Sequence, residues 1–298
     1  MNNIAAVVVT YNRKNYLKLC LDSLLIQGDL LSSIIIVNNN STDGTEEMLL
    51  NEYLDNPIFD YINIGSNIGG AGGFNYGMKR AYENFFKWIW LMDDDVAPAE
   101  GALKKYFKIT EKSLFIQGRR AYDDGEYVDW LCDYNYKTGK LIKLSENEYF
   151  ANKSFLTVNT ACFEGAFISR EIISSIGFPK KEFFIQGDDT LYGVLASKNH
   201  KIIYTKEVLM RKTLRKQTVK YFNRHIEIST PFSIYYLVRN LFIIEKLLIE
   251  SLPGEKINHS GTITVSIIKI IFKILFIFPD KSRSMISCFK GIYNGLRA

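Results

Sequence analysis

Three consecutive aspartates, Asp93, Asp94 and Asp95, end an apolar run at residues 88–92. Such a run reads as a buried strand, and open α/β sheets bind their ligands at the carboxyl ends of strands. Carboxylates this close repel one another, and burying them is costly unless a positive charge neutralises them. A hard divalent cation, Mg²⁺ or Mn²⁺, does so with oxygen ligands. The same residues would also serve as a solvated acidic turn, or as a helix start opened by Pro98. A second acidic pair, Asp188-Asp189, follows an apolar stretch at 183–185 and leads into a helical pattern at 190–197. A carboxylate at such a helix start can equally be a simple cap.

The elements that position these residues alternate. A β-branched run at 4–10 is the first strand, and residues 14–26 place Tyr16, Leu17, Cys20, Leu21, Leu24 and Leu25 at helical spacing. The second strand, 34–37, ends in a polar loop at 38–45. That loop caps the next helix, with Glu46 and Glu47 in its first turn, and either does nothing more or also holds a nucleoside with amides and carboxylates. A third strand at 59–64 precedes a loop, 67–77, with four glycines in five residues. The loop predicts a helix over about 74–85 whose amino end would favour a phosphate. Without a following Gly-Lys-Ser/Thr it is not a P-loop, and it is not a dinucleotide fingerprint. The alternation means βα units and a mostly parallel sheet.

At 298 residues the chain suggests one large domain, or one domain with an appendage. Its hydrophobic content of 47% supplies a core, and its charged content of 23% is ordinary for a soluble fold. The polar first residues lead straight into a strand and predict no secretory signal. Cys20, Cys132, Cys162 and Cys288 match neither a zinc pattern nor a disulfide frame, so they read as reduced cytoplasmic thiols. Charge is uneven. From Ser197 onward 18 lysines and arginines face 6 acidic residues, against 37 and 32 in the whole chain, so the first 196 residues are net acidic. A basic tail suggests an anionic surface. No zinc finger, RNA-binding signature or helix-turn-helix supports nucleic acid as a partner.

Four ordered segments, VVVTYNR (7–13), IIIVNNNSTDGT (34–45), NIGGAGGFNYG (67–77) and WLMDDDV (90–96), resemble the nucleotide-binding half of family-two glycosyltransferases. Glu164-Gly165-Ala166-Phe167-Ile168, Gly177-Phe178-Pro179 and Gly187-Asp188-Asp189 follow in that family's order. YYLVRN (235–240) is similar to a helix motif of its galactofuranosyl- and rhamnosyl-transferase branch. The resemblance covers about residues 4–245. It implies an α/β fold of the GT-A type, a Rossmann-like, mostly parallel sheet flanked by helices, with a helical C-terminal extension. Residues 1–225 would form the GT-A domain, its nucleotide-sugar half about 1–115 and its acceptor half about 116–225. Residues 226–298 would form the basic helical region.

The roles implied are those of a metal-dependent inverting transferase using Mn²⁺ or Mg²⁺. Asp93 and Asp95 would hold the metal. Thr10, Tyr11, Arg13, Asn38 and Asp43 would surround the nucleoside, and Asn67, Gly69, Gly72, Gly73, Asp93 and Asp94 would complete the donor side. Asp189 would be the base that deprotonates the acceptor, with Asp188 orienting it. Trp130, Glu164 and Gly165 fall on the acceptor side. Three departures stand out. Leu191 replaces an acidic residue, Asn38 replaces a common Asp, and no His follows the strand at 202–204, where Arg211 or Lys212 could meet the diphosphate directly. His225 is a substitute ligand by position only. The branch favours UDP-galactofuranose as donor, with dTDP-rhamnose as the alternative and a non-catalytic nucleotide-sugar-binding subunit as the rival of another class. The implied acceptor is a glycan, lipid-linked, in polysaccharide or cell-wall synthesis.

In the tail, an apolar helix at 232–249 contains Arg239 and Asn240 and is broken by Pro253-Gly254. The next apolar stretch, 262–278, carries Lys269 and Lys273 on one face. It is shorter than the about 20 residues a span needs and reads as an interfacial helix. That places the chain in the cytoplasm, peripheral at the inner face of the cell membrane. A helix packed on the catalytic domain, or in a homo-oligomer, is the other reading.

Overall fold

Strand β1 (Ile4–Thr10) is buried along its whole length, and the sheet grows outward from it in a computed structural model that describes residues 3–128, 131–144, 153–222 and 224–298, apart from the Arg224 side chain. It pairs in parallel with β2 (Ser33–Asn38) and β4 (Trp88–Asp93), and β2 pairs in parallel with β3 (Phe59–Asn63). Its apolar residues serve two cores because side chains alternate across a strand. Ile4, Ala6 and Val8 pack with Leu17, Cys20, Leu21 and Leu24 of α1 (Lys14–Leu25) and Met48 and Leu49 of α2 (Thr45–Glu52). Ala5, Val7 and Val9 pack with Phe74, Met78 and Ala81 of α3 (Gly69–Glu83). Apolar runs without polar alternation follow from burial on both faces.

The glycine-rich segment is not a loop ahead of a helix, as the sequence predicted. It is the first turns of α3, which begins at Gly69. A Cβ on Gly73 would lie 2.5 Å from Val9 Cγ1, and one on Gly77 would lie 2.3 Å from Val7 Cγ1. These two glycines, one turn apart, let the helix lie directly on β1.

Beyond β4 the sheet becomes mixed. Its strand order is β3-β2-β1-β4-β10-β6-β11-β5. Here β10 (Ala166–Ser169) is antiparallel to β4 and to β6 (Phe115–Ala121), and β11 (Ile202–Lys212) is parallel to β6. Strands β5 (Val96–Pro98) and β9 (Phe155–Val158) both run antiparallel to β11. Pro98 therefore ends an edge strand, where a missing N–H costs nothing, and does not open a helix; α4 (Ala102–Ile109) starts four residues later. Between β6 and β9, β7 (Cys132–Asn135) and β8 (Lys140–Lys143) form an antiparallel hairpin. Helix α5 (Arg170–Ile176) follows β10, α6 (Asp188–Ser197) precedes β11, and β12 (Thr218–Tyr221) pairs with β13 (Arg224–Glu227).

Three helices close the chain: α7 (Pro231–Ser251), α8 (Ser260–Phe276) and α9 (Lys281–Arg297). Thr230 caps α7 ahead of a proline in its first turn, and Asp280 caps α9. Helix α9 lies close on α7. A Cβ on Gly291 would sit 2.8 Å from Tyr235 O, and one on Gly295 would sit 2.4 Å from the Phe242 ring. Ile234, Val238, Ile270, Ile274, Phe278 and Cys288 form their shared core. Among the described residues no helix is long and apolar enough to cross a membrane.

Candidate active site

The ends of β1, β4 and β11 converge on the three aspartates. Asp94 faces β1: its Oδ2 accepts from Thr10 Oγ1 at 2.8 Å and from the Tyr11 amide at 3.4 Å, and its Oδ1 accepts from Arg13 at 3.1 Å. Arg13 also reaches Asp95 Oδ2 at 3.1 Å. Burial pushes the Asp94 carboxyl up to about 6, partly offset by the Arg13 charge. Asp95 Oδ1 accepts from Lys212 at 2.7 Å, and the Thr213 amide donates to the Asp95 carbonyl at 2.9 Å. That backbone bond and the pairing of Lys212 with Val96 fix the end of β11 beside the aspartates.

Glu164, assigned by sequence to the acceptor side, joins this cluster. Oxygens of Asp93, Asp95 and Glu164 all lie within 4.8 Å of one another. Glu164 accepts from Lys212 at 2.7 Å and is also paired with Arg120. Among the described residues no hydrogen bond reaches the Asp93 carboxylate. Its burial and the nearby Asp95 charge raise its pKa well above the usual carboxylate range. An all-oxygen donor set of three clustered carboxylates, one of them without a hydrogen-bond donor, fits a hard divalent ion.

Asp188 and Asp189 open α6 behind Gly187, which holds the N-cap position at φ 93°. Asp188 is therefore inside the first turn and not the cap residue considered in the sequence reading. Burial raises the pKa of both carboxyls, and the Asp189 charge pushes Asp188 further. Asp189 is relieved by the Thr190 amide, which donates to its Oδ1 at 2.7 Å, by the Arg120 charge and by the Cys162 thiol. Arg120 is paired with Glu164, and its charge also favours the ionised form of Asp189.

Other predicted residues also make contacts within the scaffold. Asn38 donates to the Tyr61 hydroxyl at 3.0 Å and accepts from the Ser41 amide at 2.9 Å. Asp43 accepts from the Lys14 amide at 2.8 Å with one oxygen and from the Thr45 amide and hydroxyl with the other. Those bonds tie the starts of α1 and α2 together and, against the cost of burial, hold the Asp43 pKa below its usual value. Asn67 accepts from the Gly69 amide at 2.9 Å. Gly69 (φ 75°) leaves room for the Phe184 carbonyl, which a Cβ would approach to 2.1 Å, and a Cβ on Gly72 would meet Ile68 at 2.9 Å. Gly165 (φ 101°) abuts Met210, and its carbonyl accepts from Tyr106 at 2.6 Å. Tyr11 and Arg13 reach the surface at the rim. Arg211 pairs with Asp123 at 3.4 Å, and His225 faces Thr218 at 3.5 Å, outside the carboxylate cluster. Trp130 lies outside the described residues.

Arg239 and Asn240 carried no assigned role in the sequence reading. Asn240 is 2% exposed and donates through Nδ2 to the carbonyls of Phe183, Ile185 and Gln186 at 3.1, 2.7 and 2.7 Å. Arg239 donates to Phe183 O at 2.9 Å and to Glu182 O. The loop they grip contains Phe184 at φ 65° and Gln186 at φ 68°, and runs directly into Asp188. The signal was in the sequence: a polar pair within an apolar helix must find partners when buried. Arg119-Arg120 inside an apolar strand gave the same signal.

Comparison with known proteins identifies the family and the fold. The family model described as "Glycosyl transferase family 2" matches residues 5–177. The galactofuranosyltransferase GlfT1 of Mycobacterium tuberculosis is 30% identical over 200 residues, 63% of this chain and 62% of that protein, so the match spans under two thirds of either. The dTDP-rhamnosyl transferase RfbF of Shigella flexneri is 27% identical over 250 residues, 82% and 80% of the two chains. Among solved structures, S. aureus TarS 1-349 in complex with UDP-GlcNAc superposes with a TM-score of 0.59 at 15% identity, over 99% of this chain and 80% of that one. The mannosyltransferase PcManGT from Pyrobaculum calidifontis, in complex with GDP-Man and Mn²⁺, gives 0.57 at 15% identity, over 99% and 75%. The fold is thus GT-A, and since the family match takes in more than half of the chain and contains the aspartate cluster, the chain belongs to glycosyl transferase family 2.

Proposed function

We propose that this chain is a metal-dependent inverting glycosyltransferase that moves galactofuranose from UDP-galactofuranose to a lipid-linked glycan. One observation carries the reading. Asp93, Asp95 and Glu164 form an oxygen-only cluster at the carboxyl end of β4, with Glu164 paired to Arg120. A divalent ion held by Asp93, Asp95 and Glu164, as Mn²⁺ or Mg²⁺, would neutralise the charge that develops on the leaving nucleoside diphosphate. Arg13, half exposed at the rim, adds a second positive charge on the donor side.

In the transfer the acceptor oxygen bonds to the anomeric carbon while the bond from that carbon to the diphosphate breaks. The hydroxyl proton goes to Asp189. Burial and the Asp189 charge raise Asp188 above an ordinary aspartate, while the Thr190 amide donates to Asp189 Oδ1 at 2.7 Å and so favours its ionised form. Because burial also raises Asp189, the acid limb of the rate profile should lie above the usual carboxylate range.

The GlfT1 match supports galactofuranose. The longer RfbF match, reaching 82% of this chain, favours a second reading in which dTDP-rhamnose is the donor. The tail supports peripheral attachment to the inner membrane face. On α8 the exposed Val265, Ile268, Phe272, Leu275 and Phe276 form one arc beside Lys269 and Lys273. On α9 Ile286, Phe289, Tyr293 and Leu296 do the same beside Arg283, Lys290 and Arg297. Apolar arcs flanked by cations suit an anionic bilayer surface. A calorimetric binding screen of UDP-galactofuranose and dTDP-rhamnose with Mn²⁺ tests the donor. Tighter binding of dTDP-rhamnose would replace the galactofuranose assignment.

A further inference from the structure

The Lys212 ammonium occupies the point where two of the three clustered carboxylates converge. It lies 2.7 Å from Asp95 Oδ1 and 2.7 Å from Glu164 Oε1, and its side chain is 6% exposed. A divalent ion bound by the same oxygens would therefore compete with it, since two cations this close repel. The surrounding structure is built so that the lysine can leave. Asp95 keeps Arg13 as a partner, and Glu164 keeps Arg120, so neither carboxylate is stranded. The backbone of β11 is held by its pairing with β5 and by the Thr213–Asp95 bond. Only the flexible four-carbon stem has to move.

We propose that Lys212 is an internal counter-ion that holds the metal site until the donor arrives, so that the divalent ion and the diphosphate bind as a coupled pair and Lys212 passes from Asp95 and Glu164 to the diphosphate. The proposal rests on the metal-dependent reading above. It makes Lys212 a donor-binding residue whose first effect is on binding. Without the donor, the divalent ion must displace a lysine that has nowhere better to go. With the donor, the displaced ammonium gains a new anionic partner, and each ligand strengthens the other.

The test is Mn²⁺ titration of the full chain by calorimetry, alone and with UDP or dTDP, after subtracting Mn²⁺–nucleotide association in buffer. The native protein should bind Mn²⁺ at least tenfold more tightly when nucleotide is present. Lys212→Met should bind Mn²⁺ alone at least tenfold more tightly than native, with little further gain from nucleotide. Lys212→Arg, which keeps the charge, should retain the native coupling. Should Lys212→Met be too unstable to titrate, its melting temperature with and without Mn²⁺ gives the same answer, because the ion should raise it by more than it raises the native value. Native-like Mn²⁺ affinity and coupling in Lys212→Met, or an equal or smaller thermal rise, overturns the inference while leaving the metal reading intact. Absence of Mn²⁺ binding by every form, with either nucleotide, overturns both.

Discussion

Replacing Asn240 with alanine should damage catalysis more than stability. The substitution removes one amide that donates to three carbonyls. Phe183 O retains Arg239, so Ile185 O and Gln186 O are the two groups left without a donor. A buried group left unsatisfied costs about 1–3 kcal/mol, so a loop that stayed in place would lose about 2–6 kcal/mol. It has another route. Phe184 and Gln186 sit at positive φ, a strain of about 1–3 kcal/mol each that relaxation releases. The loop should therefore rearrange, which holds the stability loss at or below the lower end of that range. Asp188 and Asp189 follow this loop directly, and a displacement of the base by about 1 Å costs about 10² in rate. Turnover per folded molecule should fall by that order, with donor affinity changed less, because Thr10 and Asp93 lie on β1 and β4, although Gly69 packs against Phe184 of this loop. Urea unfolding, donor calorimetry and steady-state turnover together check this. Native turnover per folded molecule in Asn240→Ala would refute the reasoning, whatever happened to stability.

Asp189→Asn keeps the size of the base but removes the proton acceptor, so turnover should drop by about 10²–10⁴ with donor binding retained; in the native enzyme, activity should fade with acidification at a pH above the ordinary aspartate range. Two glycines of α3 should respond in opposite directions. Gly70 has open space where a Cβ would go, so Gly70→Ala should stabilise by about 0.5–1 kcal/mol. Gly77→Ala would press on Val7 and should cost about 1–3 kcal/mol, both read from thermal unfolding. For the tail, the paired change Ile268→Glu and Phe272→Glu should release the protein from anionic liposomes at low salt without unfolding it, since both side chains are exposed. Unchanged sedimentation with liposomes would contradict the membrane reading. Deleting the whole tail is a poorer probe, because α9 covers Ile234 and Val238 of α7.

The sequence made β1 to β4 legible because each strand is a short apolar run ended by polar or glycine residues, a local pattern. The triple aspartate was legible for the same reason: three like charges at the end of a buried strand demand neutralisation. What neutralises them was only half visible. Lys212 was noted near the site, but that it bridges Asp95 and Glu164 depends on the antiparallel pairing of β11 with the three-residue β5. The glycines of α3 were read as a phosphate cradle because composition permits that. Their packing on Val7 and Val9 is a contact between elements more than 60 residues apart. The polar loop holding Asp43 was legible as a helix cap, but that its two oxygens bind backbone amides at the starts of both α1 and α2 depends on how the two loops meet. Asn240 acts on a loop 54–57 residues away, and nothing in its own helix indicates which carbonyls it will find.

The most direct test of the account is release of nucleoside diphosphate from UDP-galactofuranose and from dTDP-rhamnose, with a lipid-linked glycan acceptor, in Mn²⁺ and in chelator, for the native chain and Asp189→Asn. The native chain in Mn²⁺ should show acceptor-dependent release from one donor, lost in chelator and reduced by about 10²–10⁴ in Asp189→Asn. Release that persists in chelator, or that is unchanged in Asp189→Asn, would contradict it.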